Sequence, residues 1–378
     1  MKVVHATECA ASGTLDVIVA LARELANNGA RQTLVYCPRA ETPPNLRALF
    51  PPGMEFVRVT PASGFHVRFA YEFARALNNV VHTFEPDAVH LHSSKAGFVG
   101  RMAKVMGRWS CRTLYSPHGL SFLDPDRPAV NSVFRFLEAL AARTGATPVG
   151  CGRSEADILA KLSGREALLL ENPVDDRFFA IERAPAPVPT VVSMGRLSRQ
   201  KAPERFAAVA REVHRVLPSA RFLWIGDGDP AYRAELAASF CEVTGWLKRD
   251  EVASILGSAD LYVQTSRWEG LPISVIQALA AGVPCIVNDC VGNRDAVTNE
   301  STGYVVRSVE QTSEKVLRIL DDGGLRDRLS ANAKAEASRR FGLTAFARRV
   351  VQVYGLAESD IREPKALEPV TPSGSIAV

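Results

Sequence analysis

Short apolar runs alternate with helical periodicities along almost the whole chain, and the alternation starts twice. Strands are expected over residues 2–6, 32–36, 55–59, 87–92, 112–116, 148–151 and 167–170. Helical patterns cover 15–27, 65–84, 97–106, 130–143 and 155–162, and Asn28-Gly29 supplies a stop signal for the first of them. Such alternation demands a parallel sheet with helices on both faces. The stretch 182–190, with prolines at 185, 187 and 189, then interrupts the pattern as a stiff, extended segment. Beyond it strands recur at 191–194, 221–225, 242–244, 260–263 and 285–287, with helices at 203–216 and 273–281. The expectation is two doubly wound α/β domains, 1–180 and 191–345, joined by a linker at 181–190. A helix at 346–357 is expected to return to the first domain. The polar, aperiodic tail 358–378 reads as disordered.

Composition narrows the function. Hydrophobic residues make up 47% and charged residues 23%, ordinary values for a globular chain. A net charge of +4 is too small to argue for nucleic acid. The longest apolar run, 275–287, is interrupted by Gln277, Gly282 and Pro284, so no membrane helix is expected. The amino-terminal apolar stretch is too short for a signal peptide. Seven cysteines without a C-x-x-C pair fit reduced thiols in a cytosol rather than a zinc site.

In such sheets ligands bind beyond the carboxyl ends of the strands, which makes the loops after strands the places to look. The first such loop of the second domain reads Gly195-Arg-Leu-Ser-Arg-Gln-Lys201, and Pro203 opens the helix behind it. Free N–H groups at a helix start, with Arg196 and Lys201 beside them and Gly195 to let a ligand approach, suit a diphosphate. On local sequence alone the same residues fit two solvated cations equally well. A second loop, from Thr265 through Glu269, leads into a helix that carries Gln277. Glu269 can be a ligand-facing carboxylate or a simple helix-start charge.

Together these blocks resemble a retaining nucleotide-sugar glycosyltransferase of the GT-B fold, from the family 4 group. The family's G-R-L-x-x-x-K, G-x-G-p and S-x-x-E-G-x-P…E blocks read here as 195–201, 225–230 and 266–277, with Asn172-Pro-Val-Asp175 and Ala280-Ala-Gly-Val-Pro284 as further matches. The resemblance implies that Arg196 and Lys201 hold the leaving diphosphate, helped by backbone N–H groups of Gly270 and Leu271. It implies that Glu269 accepts hydrogen bonds from the donor sugar and that Gly195 and Gly226 line the nucleotide. Position 277 would bind the ribose; here Gln277 replaces the family's second glutamate. In the first domain Gly13 opens a helix near the diphosphate, and His118, in the loop after strand 112–116, lies close to the donor sugar. No metal and no cofactor beyond the nucleotide sugar is implied, and no D-x-D motif occurs. The implied reaction moves a sugar from a UDP-sugar to a hydroxyl of a glycan or lipid-linked saccharide, in polysaccharide or glycolipid synthesis. Alternative readings are a catalytically weak homologue serving as a binding subunit and a nucleotide-sugar epimerase.

Two patterns remain. His90 and His92 share one face of a strand, but no third ligand lies nearby in sequence, so a metal site is not expected. Arg101, Lys104, Arg108 and Arg112 follow helical spacing among Met102, Val105, Met106 and Trp109. That pattern is either a basic amphipathic surface for peripheral contact with the inner membrane or an ordinary helix packed by its apolar side.

Overall fold

The computed structural model describes all residues except 40, 61–66, 185 and 358–378. The disordered reading of the tail and the first two residues of the 65–84 helix therefore fall outside the described residues.

The described residues form two compact units, Met1–Asn172 with residues 346–357, and Pro173–Ala345. The first contains β1 (Lys2–Thr7), α1 (Ser12–Asn27), β2 (Arg31–Tyr36), β3 (Glu55–Arg58), α2 (Val67–Phe84), β4 (Ala88–His92) and α3 (Ser94–Met106). It continues through β5 (Arg112–Ser116), α4 (Pro128–Ala142), β6 (Thr147–Gly150), α5 (Arg153–Ser163) and β7 (Leu168–Leu169). Its seven parallel strands run β3-β2-β1-β4-β5-β6-β7. Strand alternation sorts the core: Val4, Val89, Leu91 and Tyr115 pack under α2 and α3, whereas Val3, Ala88 and Leu114 pack on the opposite face with Leu21 and Leu25 of α1.

The second unit comprises α6 (Asp176–Phe179), β8 (Thr190–Met194), α7 (Pro203–His214), β9 (Arg221–Ile225), α8 (Pro230–Ala237), β10 (Cys241–Val243) and α9 (Arg249–Ser258). Then follow β11 (Leu261–Gln264), α10 (Ile273–Ala280), β12 (Cys285–Asn288), α11 (Asn293–Ala296), β13 (Gly303–Val306), α12 (Val309–Asp321) and α13 (Gly323–Phe341). The strand order is β10-β9-β8-β11-β12-β13, all parallel. Phe206, Phe222, Trp224, Val263 and Ile286 centre its core.

The passage between units lies at Asn172/Pro173, upstream of the proline segment. That segment packs on the second unit: Ala184 and Ala186 donate backbone N–H groups to the carbonyls of Gly257 and Ser258. The last helix, α14 (Leu343–Tyr354), places Phe346, Val350, Val353 and Tyr354 in the core of the first unit, on the face shared with α1.

Candidate active site

In the second unit the chain lays β9 and β10 to one side of β8, then returns to add β11, β12 and β13 on the other. The reversal between β8 and β11 is the crevice where open parallel sheets take ligands. Both motif loops fall there, 195–202 after β8 and 265–272 after β11.

Side chains and backbone stitch the two loops together. Gln200 Nε2 donates to the Trp268 carbonyl (2.9 Å), Arg267 Nη1 to the Arg199 carbonyl (2.7 Å), and Thr265 Oγ1 to the Lys201 carbonyl (3.0 Å). Gly195 is buried directly behind β8, while Arg196 is exposed beyond it. Gly226 has φ +135°, and a Cβ there would sit 2.2 Å from the Gly195 carbonyl oxygen. Only glycine allows β9 to bring its exit turn that close to the 195 loop. A second close approach involves Gly292, which the sequence reading missed. Its φ is +84°, and a Cβ would lie 1.9 Å from the Gly270 carbonyl oxygen.

Glu269 is the best-anchored group of this crevice. Its Oε1 accepts from Lys201 Nζ (2.7 Å), Ser266 Oγ (2.6 Å) and Gln264 Nε2 (3.0 Å). All three bonds fall on one oxygen, and Oε2 accepts none of them. The carboxylate is buried, and Lys201 keeps a fifth of its side chain exposed. Gly270 and Leu271 are buried between Glu269 and α10. Gln277, five residues into α10, is also buried, and its Oε1 has no hydrogen-bond partner among the described residues. A buried acceptor without a donor is costly, and such groups concentrate where function demands them.

In the first unit the reversal lies between β1 and β4. Gly13 sits in the first turn of α1, directly beyond β1. Glu8 caps the other helix of this crevice: its Oε2 accepts from the Ala96 N–H (3.0 Å) and from Ser93 Oγ. His118 follows β5 in a left-handed conformation, φ +53°. Its loop is pinned by Gly119, whose N–H donates to Glu155 Oε1 (2.8 Å). Burial holds the His118 imidazole at a pKa of about 4, so the ring is neutral at physiological pH.

The third imidazole missing near His90 and His92 in sequence comes from the neighbouring strand. His5 of β1 pairs in register with His90, and ligand nitrogens of His5, His90 and His92 lie within 4.8 Å of one another. This overturns the argument from a missing ligand. Their ring nitrogens are nonetheless all engaged: with Gln32, with Tyr354 Oη (2.7 Å), with Ser116 Oγ (2.9 Å), with His118, and with each other. Seating an ion would break that network. Burial drives the pKa of His5 down to about 4 and those of His90 and His92 well below the ordinary range.

Of the two readings of the basic spacing around α3, neither places Arg101 correctly. Arg101 is buried, paired with Glu138 (2.7 Å) and stacked 3.9 Å over the Tyr115 ring. Lys104 donates to the Thr144 carbonyl (3.0 Å), and Arg112 belongs to β5. Val105 and Met106 at the end of α3 are exposed, and a longer run of exposed apolar side chains lies on α4, at Val130, Val133, Phe134, Phe136 and Leu140.

The sequence matches two family models, the glycosyl transferase 4-like domain over residues 12–173 and the glycosyl transferases group 1 domain over 174–336. A relative in Escherichia coli, UDP-Gal:alpha-D-GlcNAc-diphosphoundecaprenol alpha-1,3-galactosyltransferase, is 26% identical over 293 residues, 71% of this chain and 75% of that protein. Among solved structures, sucrose-phosphate synthase from Thermosynechococcus elongatus superposes with a TM-score of 0.79 at 18% identity, covering 94% of this chain and 98% of the other. Anabaena HepE in complex with UDP and glucose gives 0.74 at 16% identity, covering 94% and 99%. The two sheets, their strand orders and these matches make the chain a glycosyltransferase that belongs to the GT-B-fold, family 4 group.

Proposed function

We propose that this glycosyltransferase moves a sugar from a UDP-sugar to a hydroxyl of a glycan or lipid-linked saccharide, with retention of anomeric configuration and without a metal. The observation that carries the reading is Glu269. Three donors fix one carboxylate oxygen and the other accepts none of them, in the crevice between β8 and β11. Oε2 is the acceptor for donor-sugar hydroxyls. Lys201 anchors Glu269 with one of its three N–H bonds and has others to give a phosphate. Glycosyl transfer expels a nucleoside diphosphate, on which negative charge grows as the bond breaks. Arg196, Lys201 and the N–H groups of Gly270 and Leu271 stabilise that charge preferentially in the transition state. Gly195 and Gly226 keep the backbone low where the nucleotide lies, and Gln277 Oε1 accepts from the ribose; in the first unit, Gly13 and His118 lie beyond the ends of β1 and β5, positions that suit phosphate and sugar groups. The UDP-sugar donor and lipid-diphosphate acceptor named in the E. coli relative, and the UDP bound by HepE, support this choice of substrates.

The acceptor belongs at a cytoplasmic membrane face on this reading. No helix of the described residues is long and apolar enough to cross a membrane. Helix α4 supports contact from outside: Phe136 is 67% and Val133 57% exposed, with Arg127, Arg135 and Arg143 on or beside the helix. Exposed apolar side chains among arginines fit an anionic lipid surface.

A thermal-shift panel of nucleotides and nucleotide sugars tests the donor reading. A ligand at 100 times its Kd adds about 2.7 kcal/mol of stability. UDP and one UDP-sugar should stand out, and a panel in which no nucleotide shifts the transition would overturn the reading.

A further inference from the structure

We propose that His5 and His92 are positioning residues for His118: a one-directional chain of hydrogen bonds, anchored on Gln32, fixes His118 as its Nε2–H tautomer and leaves the Nδ1 lone pair to accept from a hydroxyl of the bound sugar. The sugar clause rests on the function proposed above; the tautomer does not.

The direction follows from groups that have no choice. The Ala22 carbonyl can only accept, and Gln32 Nε2 lies 2.8 Å from it. The Gln32 amide is thereby oriented with Oε1 toward His5 Nε2, 3.0 Å away. An amide oxygen cannot donate, so the proton of His5 sits on Nε2 and its Nδ1 carries a lone pair. His92 Nε2 lies 3.3 Å from that lone pair and therefore donates to it, leaving His92 Nδ1 bare. His118 Nε2 lies 3.0 Å from His92 Nδ1 and donates in turn. The planes of these last two rings are 13° apart with centroids 5.3 Å apart, the arrangement of an in-plane contact between ring nitrogens. One atom at the end of the chain is left over. His118 Nδ1 is buried and has no partner among the described residues.

The argument requires neutral rings, because a doubly protonated imidazole would donate from both nitrogens. Complete burial of His5 and His92 on the sheet face covered by α1 and α14 meets that requirement. His90 stands beside the chain and does not interrupt it, since its nitrogens bond Tyr354 and Ser116. Each member comes from a different strand or loop: Gln32 from β2, His5 from β1, His92 from β4 and His118 from the loop after β5. Only the parallel register of the sheet brings them into line.

The test is histidine-selective ¹⁵N NMR on the full chain near neutral pH, with donor kinetics on the same preparations. In the wild type, His118 should show a protonated Nε2 and a bare Nδ1. His92→Phe cuts the chain, so His118 should redistribute toward the Nδ1–H form and donor kcat/KM should fall about fivefold, the worth of one neutral hydrogen bond. His92→Gln can donate toward His5 and accept from His118, so it should restore both readouts toward wild type. Gln32→Leu, at the far end, should loosen the tautomer without touching His92 or His118. A wild-type His118 protonated on Nδ1, or a His92→Phe variant with an unmoved tautomer, would overturn the proposal. Should no donor be turned over by any preparation, the proposed function fails while the NMR arm still decides the tautomer.

Discussion

Replacing Gln277 by leucine should make the free protein more stable and the enzyme worse. The side chain is 7% exposed, and its Oε1 has no donor within reach among the described residues. A buried acceptor in that state costs about 1–3 kcal/mol relative to an apolar group of the same shape. Leucine approximates the volume, and a volume-conserving swap costs under ~1.5 kcal/mol in repacking. The net gain is about 1 kcal/mol, or roughly 2–4 °C in melting temperature for a unit of 150–250 residues. The same change removes the acceptor assigned to the ribose. That bond differs little between ground and transition states, so donor KM should rise about fivefold with kcat nearly unchanged. Differential scanning calorimetry without ligand, paired with steady-state kinetics, reads both quantities. Gln277→Glu should move them the opposite way, with a less stable free protein and a tighter donor. A Gln277→Leu protein that melts lower and binds donor normally would show that the amide is a packing element and refute the assignment.

Further outcomes follow from the same geometry. Glu269→Gln keeps an oxygen for Ser266 and Gln264 but loses the charge that holds Lys201 and meets the sugar, so kcat should fall on the order of 10²-fold in a folded protein; near-normal turnover would contradict its role. Gly292→Ala sets a methyl against the Gly270 carbonyl and forces a non-glycine residue to φ +84°, a strain of order 1–3 kcal/mol that should lower both melting temperature and turnover; unchanged kinetics would free the 269–271 loop from that support. Excess EDTA should leave transfer intact, and loss of activity restored by magnesium or manganese would show a metal-dependent route. Acid should destabilise the first unit: His5 has its pKa lowered from 6.5 to about 4, so between those values the unfolded chain binds a proton that the folded chain does not. Stability should therefore fall as pH drops through that window, by on the order of 3 kcal/mol from His5, and denaturant titrations at pH 7 and pH 4.5 check it.

What the sequence disclosed was local. Strand and helix periodicities are properties of neighbouring residues, so the strands of the first sheet and five of the six of the second could be read from them, whereas β13 (Gly303–Val306) was missed. The loop after β8 and the loop after β11 each carry their motif within a few residues. What escaped depends on residues far apart in the chain. His5 lies 85 positions before His90, and only the β1–β4 register makes them neighbours. Gly292 and Gly270 meet because α11 starts against the 265–272 loop, which no spacing rule foretells. Arg101 looked solvated because helical spacing grouped it with Lys104 and Arg108, but Glu138 of α4 draws it inside. That pairing places Glu138 on the buried side of α4 and leaves Val133 and Phe136 outward. Ala202 adopts φ +52° at the start of α7, a conformation for which alanine gives no warning.

The central claim is retaining transfer from a nucleotide sugar by the crevice between β8 and β11. It is tested most directly by incubating the protein with the UDP-sugar selected by thermal shift and a lipid-diphosphate-linked saccharide, then determining the anomeric configuration of the product by NMR. The account predicts one UDP released per sugar transferred, an unchanged anomeric configuration, and loss of both products in Lys201→Ala. A product of inverted configuration, or undiminished transfer by Lys201→Ala, would contradict it.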